Sequence, residues 1–166
     1  MKILETERLL LQKLTPDDAD FMFALMNEPA FIRNVADRGI RQCSDAAAYI
    51  SEKILPSYAN YGFGFYRVDL KESALPIGIC GLAKRETLDD VDVGFSILER
   101  YWRKGYAFEA ALAMMEYGRN TLGLKRITGL TSSQNEASIR LLEKLGLRFD
   151  RRVSVPGFGT ESLLFS

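Results

Sequence analysis

Histidine is absent from this chain of 166 residues, and its absence removes whole classes of catalytic site. Without imidazole there can be no Ser-His-Asp or Cys-His machinery and no histidine-ligated zinc. Cysteine is scarce: Cys43 and Cys80 form neither a CxxC pair nor a metal-ligand spacing, and they cannot staple a domain of this size. Acid–base chemistry must therefore use carboxylates, Tyr, Lys, Ser, Cys or water, and we expect no metal and a reducing, cytoplasmic setting.

The chain also lacks a charge excess and a long apolar run. Lys and Arg number 22, as do Asp and Glu, so no global field attracts nucleic acid or an anionic membrane. No apolar stretch approaches the ~20 residues of a membrane span, and from the residues at the N-terminus we expect no signal peptide. The 47% of apolar residues instead predicts one globular domain over residues 1–166, in which any anion site is local.

Caps, prolines and apolar periodicity predict the elements of this domain. The predicted strands cover residues 8–14, 62–70, 77–85, 91–98, 126–131, 147–155 and 160–165, the last two as a hairpin. The predicted helices cover residues 15–27, 44–55, 105–122 and 135–145, with Pro29 and Pro56 ending the first two. Because helices and strands mix without strict alternation, we expect an α+β fold with a mixed sheet.

The segment WRKGYAFEA at residues 102–110 lies between a predicted strand and a predicted helix. Its two cations, Arg103 and Lys104, are followed by Gly105, where a backbone can approach a ligand closely. The first N–H groups of a helix lack intrahelical partners, and the helix dipole adds positive charge there. This order predicts a site for phosphate or pyrophosphate. The alternative is an ordinary turn with a solvated Arg-Lys pair.

Several further segments occur in a characteristic order around this one. They are ETERLLL at residues 5–11, GICGL at 78–82, DVGF at 92–95, NEAS at 135–138 and LLEKLGL at 141–147. Together the segments resemble the GNAT superfamily of acyl-CoA N-acyltransferases, and in particular its RimJ/RimL-like branch of ribosomal-protein alanine and serine N-acetyltransferases. The resemblance covers nearly the whole chain. It implies a mixed, largely antiparallel sheet of about seven strands flanked by about four helices.

The resemblance also implies where acetyl-CoA, the cosubstrate, binds. The coenzyme loop of the family reads Q/R-x-x-G-x-G/A, and here the register gives Trp102-x-x-Gly105-x-Ala107, with Trp102 a departure. Backbone N–H groups would bind the pyrophosphate, from Arg103, Lys104, Gly105, Tyr106, Ala107 and Phe108. The pantetheine arm would lie along residues 91–98, at Phe95, Ser96 and Ile97. Asn135 would bond the arm from the other side, although it is also an excellent helix N-cap.

For catalysis, the resemblance implies that the backbone N–H of Phe95 stabilises the tetrahedral oxyanion. Many family members carry a Tyr general acid seven residues after the Asn, but this chain has Leu142 there. Ser138 is the nearest hydroxyl on that helix start, and we expect it to contact the leaving sulfur instead. Asp92 is the candidate general base, working through a water, with Glu86, Asp89 and Asp90 flanking the same strand.

The expected reaction is acetyl transfer from acetyl-CoA to a primary amine, with a protein N-terminal α-amine favoured as acceptor. The segments on the acceptor side, residues 31–40, 57–65 and 155–161, do not decide between a protein and a small-molecule amine. A non-catalytic acyl-CoA-binding sensor stays open, and so does a homodimer. A dinucleotide-binding domain is disfavoured because no G-x-G-x-x-G follows a first strand.

Overall fold

The computed structural model describes residues 1–158 and 161–166. The strands are β1 Lys2–Glu5, β2 Leu9–Lys13, β3 Phe65–Leu70, β4 Pro76–Ala83, β5 Val91–Ile97, β6 Ile127–Thr131, β7 Phe149–Val153 and β8 Ser162–Phe165. They form one sheet in the order β1-β2-β3-β4-β5-β6-β8-β7, and among these described strands only β5 and β6 pair in parallel. The α+β class and the mixed, largely antiparallel sheet are therefore confirmed, with β1 as a strand that the sequence did not predict.

The helices differ more from their predicted bounds than the strands do. They are α1 Ala19–Met26, α2 Pro29–Asn34, α3 Cys43–Tyr49, α4 Leu55–Tyr61, α5 Tyr106–Asn120 and α6 Glu136–Lys144. Short 3₁₀ turns at Pro16–Asp18 and Glu99–Tyr101 precede α1 and α5. Among the described residues, no helix is both long and apolar enough to cross a membrane.

The prediction that Pro56 ends the second helix is wrong. The chain passes from α3 through one π-helical turn, Ile50–Ile54, directly into α4. Pro56 lies in the first turn of α4, where a missing N–H costs little. Pro29 likewise ends one helix and opens the next, since it begins α2. The same residue type that stops a helix thus also starts one, and the sequence pattern alone did not distinguish the two uses.

The sheet separates two apolar clusters. On one face α5 packs against the central strands through Ala110, Ala111, Met114 and Met115, which are all fully buried. Each buried methionine side chain contributes about 1.5–3 kcal/mol relative to exposure. The second cluster contains residues of the N-terminal helices α1–α4, together with Ile79 and Leu98 from the sheet region. The sheet is therefore a middle layer whose central strands are held from both sides.

The parallel pair β5–β6 is short, and this shapes the molecule. Val91–Val93 pair with Ile127–Gly129, but the pairing stops there. On its other edge β5 stays paired with β4 as far as Ile97. From Gly94 onward β5 and β6 therefore diverge, and a gap opens in the middle of the sheet.

Candidate active site

The main chain of β5 directs polar groups into this gap. The N–H of Leu98 donates to the carbonyl of Ile77 on the β4 side, at 2.8 Å. On the opposite side, the Thr128 hydroxyl of β6 donates to the carbonyl of Val91, at 3.2 Å. The register of β4 against β5 has no shift between these ends, so the backbone N–H groups of β5 point alternately toward β4 and away from it. The N–H of Phe95 therefore points away from β4, where β6 no longer pairs with it.

A cavity of about 710 Å³ occupies the region around the gap. Its wall includes β5 from Asp92 to Ser96, the end of β6, the start of α6, the segment 31–38 and the turn at Gly157 and Phe158. The structure thus brings together five of the residues predicted from the sequence: Asp92, Phe95, Ser96, Asn135 and Ser138. Of the segments predicted on the acceptor side, residues 31–38, 65, 157 and 158 line the cavity, whereas residues 159 and 160 lie outside the described residues.

The predicted anion loop lies elsewhere, at the opening of α5. Arg103 and Gly105 both have positive φ, 62° and 81°, and Gly105 is the N-cap of the helix. The following N–H groups of Tyr106, Ala107 and Phe108 occupy the first turn, where a helix lacks internal acceptors. Arg103 and Lys104 are exposed. A tight turn of this kind in front of a helix forms a concavity of backbone donors suited to an anion.

Trp102, the departure from the family pattern, fixes this loop to β5. Its indole Nε1 donates to the carbonyl of Ile97, at 2.7 Å. Ile97 is buried at the end of the strand. Because its carbonyl accepts this bond from Trp102, the carbonyl is already occupied on the side where we expected pantetheine. The tryptophan thus performs a positioning role that the sequence did not reveal.

The segment ETERLLL also proves to hold the loop. Glu109, in the first turn of α5, accepts hydrogen bonds from the Thr6 hydroxyl, from the backbone N–H of Arg8 and from its Nε, the last at 2.7 Å. Arg8 Nη1 donates in turn to the carbonyl of Lys104, at 3.0 Å. Partial burial raises the pKa of Glu109, but the bonds from Thr6 and Arg8 outweigh it and leave the pKa below its usual value. We call Thr6, Arg8 and Glu109 the loop clamp.

Asp92 lies on the cavity wall in a bidentate ion pair. Arg85 contacts its two carboxylate oxygens through Nε at 2.8 Å and Nη2 at 3.2 Å. The Asp92 side chain is 2% exposed, so burial raises its pKa, and the charge of Arg85 opposes the rise without cancelling it. The other acids considered from the sequence, Glu86, Asp89 and Asp90, do not line the cavity in the described part of the chain. Sequence reasoning missed Arg85 because the residue belongs to the β4–β5 connection and not to a motif.

Asn135 and Ser138 form the start of α6. The Asn135 Oδ1 accepts the N–H of Ser138 at 3.2 Å, so the N-cap expected of this residue is formed. One turn later, Leu142 is fully buried, and its methyl groups lie so close to Gly129 that a Cβ there would be 2.5 Å away. The position that carries a tyrosine in many family members is thus filled by apolar packing against β6.

Neither cysteine has the environment of a nucleophile. Cys80 is fully buried in β4, and burial raises the pKa of its thiol. Cys43 is exposed at the start of α3, where a hydrogen bond to the Asp20 carboxylate raises its pKa. Because the thiolate is the reactive form, both shifts reduce reactivity.

Comparisons with known proteins agree with this geometry. The chain matches the acetyltransferase (GNAT) domain over residues 8–148. It is 32% identical to the uncharacterized N-acetyltransferase YoaA of Bacillus subtilis over 88% of this chain and 82% of that protein. It is 29% identical to the uncharacterized N-acetyltransferase p20 of Bacillus licheniformis over 89% and 83% of the two chains.

Solved structures give the same fold. An acetyltransferase from Agrobacterium tumefaciens superposes with a TM-score of 0.82 at 25% identity, covering 99% of this chain and 92% of that one. RimL, a ribosomal L7/L12 α-N-protein acetyltransferase in complex with coenzyme A, gives 0.83 at 12% identity, covering 99% and 96%. At that identity the likeness to RimL shows the fold and not the branch.

Proposed function

Because this chain belongs to the GNAT acetyltransferase family, and so is an acetyl-CoA-dependent acyltransferase, we propose that it acetylates a primary amine by direct attack in a ternary complex. The observation that carries the proposal is the divergence of β5 from β6, which leaves the N–H of Phe95 facing the cavity region. A preorganised backbone donor in such a position is suited to a developing oxyanion.

In the proposed complex, the coenzyme spans the two parts of the site. The pyrophosphate binds the backbone N–H groups of residues 103–108, where Arg103 and Gly105 adopt positive φ. Pantetheine follows β5 past Ser96 and the N–H of Ile97, because the Ile97 carbonyl is bonded to Trp102. Asn135 contacts the arm from the α6 side through its amide nitrogen, since its Oδ1 caps the helix.

The chemistry then takes place at Phe95. The amine nitrogen attacks the thioester carbon, the carbonyl oxygen becomes an oxyanion bonded to the Phe95 N–H, and collapse breaks the C–S bond. The amine must lose a proton, and we assign its removal to Asp92 through a water, because burial makes this carboxylate more basic than a surface aspartate. We assign Ser138, on the cavity wall, to hydrogen bonding of the departing CoA thiolate.

No covalent acyl-enzyme is required in this proposal. The pKa values of both cysteine thiols are raised, and histidine is absent, so no imidazole is available to activate either sulfur. Holding the amine and the thioester in one cavity supplies much of the rate through orientation.

The acceptor we propose is the α-amine of a protein N-terminus. An α-amine has a pKa of about 7.7–8.0, against about 10.4 for a lysine side chain, so it needs less help from a base. This suits a site whose one cavity carboxylate of raised pKa, among the described residues, is paired with Arg85. A small-molecule α-amine is the second candidate, favoured by a cavity partly covered by residues 33–38 and the turn at Gly157. We place the reaction in the cytoplasm, because both cysteines are free.

The experiment is to mix the protein with acetyl-CoA and a panel of amines while following free thiol. Peptides with different N-terminal residues and small-molecule amines form its two arms, and mass spectrometry identifies the acetylated product. Amine-dependent thiol release is the expected result. Binding of acetyl-CoA with no release for any amine would contradict the proposal and support an acyl-CoA sensor.

A further inference from the structure

The cavity wall carries more positive charge than its own carboxylates neutralise. The charged side chains that line it are Arg33, Asp37, Arg38, Arg85 and Asp92. Asp92 is paired with Arg85, and Asp37 is paired with Arg41, which is not part of the lining. Within residues 1–158 and 161–166, no carboxylate lies within 4.0 Å of the guanidinium groups of Arg33 or Arg38. Two cationic side chains therefore face the cavity without a counter-ion.

Arg38 is the better placed of the two, because it is held by its surroundings. Its Nη1 donates weakly to the carbonyl of Gly157, at 3.4 Å, and its Cζ lies 5.6 Å from the centroid of the Phe158 ring. Its Nε is buried and has no hydrogen-bond partner among the described residues. Buried donors are nearly always bonded in folded proteins, so the unbonded Nε shows that the described part of the protein does not supply this guanidinium with its full set of acceptors.

The Phe158 ring connects Arg38 with the proposed catalytic groups. The Cζ of Arg85 lies 5.1 Å from the centroid of the same ring, and Arg85 holds Asp92. One aromatic ring thus contacts a neutralised guanidinium and an unneutralised one. An anion bound at Arg38 would occupy the same cavity as Phe95 and Asp92.

We propose that the acceptor carries a carboxylate close to its reacting amine, and that Arg38 binds this carboxylate; the inference rests on the acetyl transfer proposed above. A guanidinium presents donors in a fixed planar arrangement that matches the two oxygens of a carboxylate. Two kinds of acceptor present a carboxylate close to the amine: a free α-amino acid, and a peptide with an acidic side chain near its N-terminus. Polyamines are expected to be poor acceptors, because unpaired arginines repel them.

The test compares acceptors that differ only in this charge. Free amino acids are compared with their carboxamides, and peptides with Asp or Glu at the second position are compared with their Asn or Gln counterparts. We expect the charged member of at least one series to have a kcat/KM about tenfold higher, and the series that responds identifies the source. Arg38→Gln should bring the ratio close to one, and Arg38→Lys should retain part of it.

Arg100→Gln is the matched control, because Arg100 also lies against an aromatic ring, Tyr101, but is exposed and outside the cavity. It should keep the ratio of the wild-type protein. If Arg38→Gln fails to fold, the wild-type ratio itself should fall as ionic strength rises, since salt screens the ion pair. Equal rates for charged and neutral members of both series, alongside amine-dependent thiol release, would overturn this inference and leave the proposed function standing.

A binding measurement separates the two failures further. Calorimetric titration of the amino acids and acidic peptides into the complex of the protein with CoA reports on Arg38 without turnover. Binding that weakens about tenfold in Arg38→Gln supports the carboxylate site even if no thiol is released. Binding that is unchanged by Arg38→Gln, or absent for every acid tested, overturns it.

Discussion

If the loop at residues 102–105 binds the coenzyme as we propose, the loop clamp makes CoA binding depend on Arg8, a residue that need not touch the coenzyme. Arg8 bonds Glu109 through Nε and the carbonyl of Lys104 through Nη1, and its guanidinium lies 4.4 Å from the centroid of the Tyr106 ring. Replacing it by glutamine removes all three contacts but keeps the backbone N–H that Glu109 also accepts. We therefore expect Arg8→Gln to loosen the loop at residues 102–105 and to weaken CoA binding.

The size of the effect follows from exposure. The Arg8 side chain is 43% exposed, so its ion pair with Glu109 is screened and contributes at most about 1 kcal/mol. The bond to the Lys104 carbonyl contributes about 1 kcal/mol, and the contact with the Tyr106 ring about 0.5–1 kcal/mol. We expect the free energy of unfolding to fall by about 2 kcal/mol. Only the Lys104 contact holds the loop directly, so the Kd for CoA should rise about fivefold.

Calorimetric titration with CoA and thermal unfolding measure the two quantities separately. Arg41→Gln is the control, since Arg41 forms an exposed ion pair with Asp37 and lies outside the loop clamp. It should change neither the Kd nor the unfolding temperature appreciably. A wild-type Kd for CoA in Arg8→Gln would refute the link between the clamp and the coenzyme loop.

Three further substitutions test the proposed site. Gly105→Glu should abolish measurable CoA binding by calorimetry, because a side chain and a negative charge enter a position of φ 81°; wild-type affinity would contradict the pyrophosphate site. Ser138→Ala should lower kcat about 10–100-fold with little change in acetyl-CoA binding, and an unchanged kcat from pH 6 to 9 would leave Ser138 as a helix-start residue only. Asp92→Asn should lower kcat by a similar factor, about 10–100-fold. It should also remove the decrease of kcat at acidic pH, because the pKa of Asp92 is raised above the ordinary value of 3.8 and protonation would inactivate the base. Asp90→Asn, on the preceding turn, is its control, and equal pH profiles for both variants would exclude Asp92 as the base.

The sequence predicted the elements whose pattern is local. β5 and α5 have clear apolar periodicity and end within a few residues of the predicted bounds. The elements it missed depend on packing between distant parts of the chain. α2 is only six residues long and is stabilised by Phe31, which is buried in the cluster formed with the other N-terminal helices. β1 is half-exposed and gains its hydrogen bonds from β2, so its own sequence shows little of a strand.

The candidate site likewise has a part that the sequence predicted and a part that it did not. The backbone N–H groups at Phe95 and Gly105, which we propose as donors, could be predicted because strand and loop motifs fix their neighbours in sequence. The side chains that give the cavity its charge could not be located, because the fold brings them together from remote positions. Arg38 contacts Gly157 across 119 residues of sequence. Arg85 reaches Asp92 only because the β4–β5 connection returns the chain to the same place.

Two features of the site, Leu142 in place of a tyrosine and the ion pair of Asp92, have a common chemical consequence. Leu142 packs against Gly129, so the tyrosine that acts as general acid in many family members is absent. The hydroxyl that we assign to its place is that of Ser138, at the start of α6. Asp92, the candidate base, is held by Arg85 and cannot turn freely toward an amine. Because the site offers only a weak general acid and a weak general base, it favours a substrate amine that is already partly deprotonated at neutral pH. An α-amine meets that condition and a lysine side chain does not. A carboxylate held by Arg38 would then supply by binding and orientation what the acid–base groups lack.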